Sequence, residues 1–135
     1  VGNNTTVAGC VNIGEGTILS SSVTIHEDCN IGKFVLIKGG TRISSNVPPF
    51  LIMAHNPVTY YGVNAIVLRK HAGFSDKEID DISKAYRHIY QTATSTFNAL
   101  KRIETDIEPT PVRDEILKFV RDNRMKLAGN QFIED

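Results

Sequence analysis

Cysteine is scarce: Cys10 and Cys29 are the only two in 135 residues. That is too few for a disulfide scaffold, so a reducing compartment, the cytoplasm, is expected. An excess of one charge sign is also missing. Fifteen Lys and Arg balance fifteen Asp and Glu. This argues against a nucleic-acid binder working through bulk positive charge, and against an acidic disordered tail. No apolar run approaches the ~20 residues needed to cross a bilayer, so no transmembrane segment is expected. The chain opens on Val1 rather than Met, with no charged-then-apolar leader; a processed chain or a fragment is expected. What remains, 41% apolar and 22% charged, is ordinary for a globular protein of one compact domain or two small subdomains.

The first third carries a repeat. Every sixth position from Val1 is aliphatic: Val1, Val7, Ile13, Leu19, Ile25, Ile31, Ile37 and Ile43. The following position is mostly small (Gly2, Ala8, Gly14, Ser20, His26, Gly32, Lys38, Ser44). Four places after each aliphatic stand Thr5, Val11, Thr17, Val23, Cys29, Val35, Thr41 and Val47, all small or β-branched. Neither the helical nor the strand period explains a strict period of six. A solenoid does: each hexad makes a short flat strand plus a corner, with the aliphatic pointing into a prism. The small residue beside the aliphatic is expected to allow the tight turn. So short a prism needs support from copies of itself, from the rest of the chain or from further coils.

The repeat is expected to end at Val47-Pro48-Pro49-Phe50, where two prolines remove two donors from the ladder. The prism is therefore placed at 1–50 and a connector at 51–74. In the connector, Leu51 to Ala54 reads as a short extended run and His55-Asn56-Pro57 as a turn. Tyr60-Tyr61-Gly62-Val63-Asn64 reads as a loop flexible at Gly62. Charge then rises: residues 1–74 hold five Lys/Arg and three Asp/Glu, residues 75–135 ten and twelve. Ser75-Asp76-Lys77-Glu78 is a capping box opening a helix with Ile79, Ile82, Tyr86, Ile89 and Tyr90 on one face. A second helix carries Phe97, Leu100 and Ile103. Thr110-Pro111 starts a third, with Ile116, Phe119 and Val120 apolar. These make a small helical bundle over 75–135, frayed after Ala128-Gly129.

The hexads, then Val47-Pro48-Pro49-Phe50, Tyr61-Gly62-Val63-Asn64, Leu68-Arg69-Lys70 and Gly73-Phe74-Ser75 ahead of a helical tail, closely resemble the C-terminal half of the bacterial UDP-N-acetylglucosamine O-acyltransferase family. The hexads alone mark a superfamily; the later motifs are more specific. The resemblance fades after about Arg124. It implies a β-solenoid plus α fold, a left-handed parallel β-helix with three hexads to a triangular coil, followed by the helical bundle. It implies transfer of a 3-hydroxyacyl chain from acyl carrier protein to the 3-hydroxyl of the sugar nucleotide, in lipid A synthesis. A histidine acts as general base and a backbone N–H holds the oxyanion, in a groove between subunits of a homotrimer. Neither metal nor bound cofactor is implied.

Carried onto this chain, the family's general-base histidine falls upstream of Val1 and is absent. Its Ala-Gly-His stretch matches Ala8-Gly9-Cys10, so Gly9 retains the N–H while Cys10 replaces a histidine. His26 matches a substrate-contacting histidine and Asn64 a nucleotide contact. The Glu two places later has become Ile66. Arg69 and Lys70, with His71, match the diphosphate-binding basic residues, and one residue is inserted before Gly73. Gly39 matches the position that measures the acyl chain, and leaves room for a long one. The isolated chain is accordingly expected to be inactive.

Plainer roles stand beside these. His26 at a hexad corner suits a solvated or interface residue, His55 a turn residue and His88 a solvated helix face. Arg69 and Lys70 suit an exposed pair. The cysteines suit buried thiols better than a bridge or a metal pair. Arg113, Lys118, Arg121, Arg124 and Lys126 suit either a salt-bridged helix or a face for the acidic carrier protein. Two other functions remain open: an acetyl-CoA-dependent hexapeptide transferase on another sugar, and a non-catalytic trimeric assembly module. A zinc hydratase of similar fold needs three converging histidines, and His26 and His55 lack that spacing.

Overall fold

The computed structural model describes residues 2, 4–55, 58–91, 95–123 and 127–129. Seven two-residue strands recur at the hexad spacing: β1 Thr6–Val7, β2 Asn12–Ile13, β3 Ile18–Leu19, β4 Thr24–Ile25, β5 Asn30–Ile31, β6 Leu36–Ile37 and β7 Arg42–Ile43. The first four each pair in parallel with the strand 18 residues on, as Thr6↔Thr24↔Arg42, Asn12↔Asn30 and Ile18↔Leu36 show. Three hexads therefore make one coil, and three flat sheets enclose the column. Leu19, Ile25, Ile31, Ile37 and Ile43 fill its interior, joined by Val23, Cys29 and Val35. In the first coil the corresponding Val7 and Ile13 are about two-fifths exposed, at 42% and 41%, unlike the wholly inward row the repeat implies. Val1 and Asn3 lie outside the described residues.

The corners turn at a different place from the one the small residues suggest. Positive φ recurs at Asn4, Cys10, Gly16, Ser22, Asp28, Phe34 and Gly40, three places after each aliphatic. The glycines directly after the aliphatics have another purpose. A Cβ on Gly14 would lie 2.6 Å from the Gly32 carbonyl carbon, and one on Gly32 would lie 2.5 Å from the Pro49 nitrogen. These positions are small because successive coils touch there, not because the backbone is left-handed. Thr5 and Thr17 add hydroxyl donations to the carbonyls of Ser20 and Gly32 one coil away.

The prolines do not end the ladder. Strand β8, Leu51–Ala54, continues the third sheet, with Ile52 beside Leu36 and Met53 beside Ile37. Their spacing is 16 residues instead of 18, and the Ile31↔Val47 bridge repeats it. Two residues are lost after Ile43, so Val47 enters the phase of the inward row and is fully buried. Pro48 and Pro49 then occupy the next corner, where Phe50 N–H donates to Lys33 O at 2.8 Å. Nor is the connector irregular. Tyr60 to Val63 belong to β9, Thr59–Val63, antiparallel to β8, and Gly62 faces Ile52 as a strand residue. The expected His55 turn is seen, at φ 73°; Asn56 and Pro57 lie outside the described residues.

Four helices follow: α1 Ala65–Lys70, α2 Asp76–Tyr90, α3 Thr96–Asp106 and α4 Pro111–Asn123. The capping box forms as read, Ser75 Oγ accepting from Glu78 N–H while Glu78 accepts from Ser75 N–H. Thr110 Oγ1 accepts from Arg113 N–H at the start of α4. Ile79, Ile82, Tyr86 and Ile89 of α2 pack with Leu100 and Ile103 of α3 and Ile116 and Val120 of α4. Phe97 is a correction: it is 41% exposed, its ring under the Lys101 ammonium, and Ala99 takes the inward place. Helix α2 closes the end of the column. Tyr86 is fully buried and its hydroxyl donates to Pro49 O at 2.6 Å. Column and helices share one continuous apolar core.

The outer faces differ. The first sheet shows Thr6, Thr24 and Arg42. The second shows Asn12 and Asn30, whose amides form a chain that reaches Asn123 on α4. The third shows Ile18, Leu36 and Ile52 in register, with Ile18 47% exposed.

Candidate functional site

Gly9 and His26 share a corner. Asp28 N–H reaches Gly9 O at 3.4 Å, and His26 N–H donates to Ile43 O at 2.9 Å. Both residues are exposed. Among the described residues the Gly9 N–H has no intramolecular acceptor, and a Cβ there would meet nothing within 4 Å. Cys10 sits at the same corner with φ 59°, exposed; it is not the buried thiol expected, whereas Cys29 is buried. The left-handed corner turns the Cys10 side chain away from the column.

Gly39 lies at a second corner, its added Cβ 3.1 Å from Ser21 O. Beside it the Lys38 ammonium lies 4.1 Å from the centre of the Tyr61 ring, and His55 lies 6.1 Å from that ring.

Asn64 stands at the third corner. It is only 4% exposed. Its N–H donates to Phe50 O at 2.9 Å and its Nδ2 to Phe34 O at 3.1 Å. Its own carbonyl accepts from Leu68 N–H. Asn64 thus ties the start of α1 to two coils of the column. The six-residue α1 buries Leu68 and leaves Ile66 69% exposed, with Arg69 and Lys70 exposed at its end. Arg69 Nε donates to Asp76 Oδ1 at 3.0 Å. The sequence pattern predicts no helix here, because six residues are too few for a periodic signal.

Near this corner opens a cavity of about 410 Å³, lined by Phe34, Phe50 and Phe74, with Lys33, His71 and Glu115 among the polar groups. The rings of Phe34 and Phe50 meet that of Phe74 edge-on, at 6.4 and 5.5 Å. The sequence carried one signal for this cluster: Phe34 occupies the left-handed corner place of its hexad.

The chain therefore distributes the predicted residues over three corners and does not bring them together. The helix-face basic residues are largely engaged: Arg121 pairs with Glu104 at 2.8 Å, Lys118 with Asp122 at 3.3 Å, and Arg113 donates to Ile107 O at 3.0 Å. Arg124 and Lys126 lie outside the described residues. His88 is half-buried against Asp106 at 3.0 Å rather than a solvated face. Among the described residues no three His, Cys, Asp or Glu side chains group as metal ligands. No helix among them is long and apolar enough to cross a membrane.

Residues 46–128 match the family model described as UDP-N-acetylglucosamine O-acyltransferase, domain 2. The chain belongs to this family. It is 34% identical over 112 residues to the acyl-[acyl-carrier-protein]–UDP-N-acetylglucosamine O-acyltransferase of Aliivibrio salmonicida, covering 83% of this chain and 42% of that protein. Its fold superposes on a UDP-N-acetylglucosamine acyltransferase from Bacteroides fragilis with a TM-score of 0.88 at 36% identity, over 99% of this chain and 50% of that one. The Arabidopsis UDP-N-acetylglucosamine acyltransferase gives 0.83 at 28%, over 98% and 47%. The column is thus the left-handed parallel β-helix of this acyltransferase family. The chain spans about half the length of the relatives it matches.

Proposed function

We propose that this chain is the sugar-nucleotide-binding half of an O-acyltransferase that moves a 3-hydroxyacyl group from acyl carrier protein to the 3-hydroxyl of UDP-N-acetylglucosamine, in lipid A synthesis in the cytoplasm. The observation that carries this reading is the likeness over nearly the whole chain to proteins named for that activity. In the reaction a general base takes the proton of the sugar hydroxyl as its oxygen attacks the thioester carbonyl. The tetrahedral intermediate collapses, the ester forms, and the carrier thiol leaves with a proton. The exposed Gly9 N–H, lacking an internal acceptor, suits the oxyanion. His26 at the same corner contacts substrate, and Gly39 leaves space for the acyl chain. Arg69 and Lys70, with His71, hold the diphosphate through charge-assisted hydrogen bonds. Asn64 contacts the nucleotide through its Oδ1, while its Nδ2 bond to Phe34 O fixes the start of α1. The general base comes from the part of the family's length that this chain does not span. No metal or cofactor enters the scheme.

Residues on three corners of one prism meet only when corners of neighbouring copies face each other. A homotrimer supplies that arrangement, and the outward Ile18, Leu36 and Ile52 row offers an apolar face for it. The test is calorimetric binding of UDP-N-acetylglucosamine to the chain. Arg69→Gln with Lys70→Gln is expected to weaken binding by about tenfold or more. Undiminished binding in that variant refutes the assignment. Acyl transfer from acyl carrier protein by this chain alone is expected to be absent; turnover would refute the missing-base reading. Ile66, 69% exposed where a polar ribose contact is expected, favours one second reading, a hexapeptide acetyltransferase acting on a different sugar. Affinity for acetyl-CoA without affinity for the UDP-sugar would support it. A trimer that binds neither would leave only an assembly role.

A further inference from the structure

We propose that Asp76 is a positioning residue that competes with an anionic ligand for the Arg69 guanidinium and so weakens the phosphate grip of α1. This rests on the role given above to Arg69 and Lys70. Asp76 Oδ1 accepts from Arg69 Nε at 3.0 Å, with the two side chains 87% and 55% exposed. Arg69 is the last residue but one of α1 and Asp76 the first of α2. The contact therefore bridges the turn through Gly73, whose φ is +70°. Lys70, next along, has no ion pair among the described residues. The carboxylate is doubly provided for: by the guanidinium and by the positive end of α2.

A diphosphate approaching this pair meets a fixed negative charge already on the guanidinium. It either displaces Asp76 or binds within its repulsive field, and each lowers affinity. Exposed pairs of this kind change an equilibrium by about 1.5- to 5-fold. The α2 cap is the side chain of Ser75, not of Asp76, so Asp76→Asn removes the charge and leaves the capping box in place.

The experiment is titration calorimetry of the full chain with UDP-N-acetylglucosamine and, separately, with inorganic pyrophosphate. At low salt Asp76→Asn is expected to bind both about two- to fivefold more tightly, and Asp76→Glu to match the parent. The gain is expected to shrink as ionic strength rises toward about 0.5 M. It is expected to vanish in an Arg69→Gln background, which a merely structural role would not produce. Unchanged or weaker binding in Asp76→Asn overturns the proposal, as does an equal gain without Arg69. If Arg69→Gln weakens binding while Asp76→Asn does not tighten it, only the role of Asp76 falls. If neither probe binds, or both ignore Arg69→Gln and Lys70→Gln, the role of the basic pair falls with it.

Discussion

Adding one methyl group at Gly32 should push two coils apart. An ideal Cβ there lies 2.5 Å from the Pro49 nitrogen and 2.6 Å from its Cα. These are backbone atoms of a rigid ring residue, so no side chain can swing aside. Reaching the 3.4 Å of ordinary contact requires a displacement of about 0.9 Å. Two ladder bonds flank the contact, Gly32 N–H to Val47 O and Phe50 N–H to Lys33 O, each 2.8 Å. Overpacking costs about 1–3 kcal/mol and each weakened hydrogen bond about 0.5–1.5, so Gly32→Ala should destabilise by about 2–6 kcal/mol. At ~2.1 cal/mol/K of unfolding entropy per residue over 135 residues, the melting temperature falls by about 7–21 °C. Two glycines calibrate the effect. Gly40 has φ +77° and open space around it, so Gly40→Ala costs only the left-handed strain of about 1 kcal/mol. Gly62 has open space and no positive φ, so Gly62→Ala stays within about 0.5 kcal/mol of the parent. Thermal and urea unfolding followed by far-UV circular dichroism reads all three. A Gly32→Ala protein as stable as Gly62→Ala would refute the close approach of the coils.

Tyr86→Phe strips the buried Pro49 carbonyl of its donor and should lower stability by about 1–3 kcal/mol in denaturant titration. Burial raises the Tyr86 pKa well above 10.0 and that of Tyr60 above it. Stability present below pH 10.0 is therefore lost as pH rises through that value, since the unfolded chain ionises first. Tyr86→Phe should show a shallower alkaline decline. Ile103→Ala, at a fully buried site, should cost about 2–5 kcal/mol. Phe97→Ala, at a 41% exposed site, should cost under about 1; equal losses would contradict the orientation of α3.

The period of six prescribed the column because an inward aliphatic every sixth residue admits no helix or ordinary sheet. The capping box and Thr110-Pro111 announced α2 and α4 through local chemistry, since each cap uses atoms three residues apart. Four things depended on contacts distant in sequence. The two-residue slip after Ile43 placed Val47 in the interior and carried the ladder past both prolines. The pairing of Gly62 with Ile52 made a strand of an apparent loop. The approach of Gly32 to Pro49 explained a glycine that looked like a turn. The burial of Asn64 tied the start of α1 to the column through Phe34 O and Phe50 O. The placement of Asn64 on a corner apart from those of Gly9 and Gly39 was likewise invisible in the chain, because the two-residue slip after Ile43 and the reversal into β9 break the count of residues per coil. Periodicity repeats short-range sterics and is legible directly. Where one coil presses on the next is decided only when the whole column is stacked.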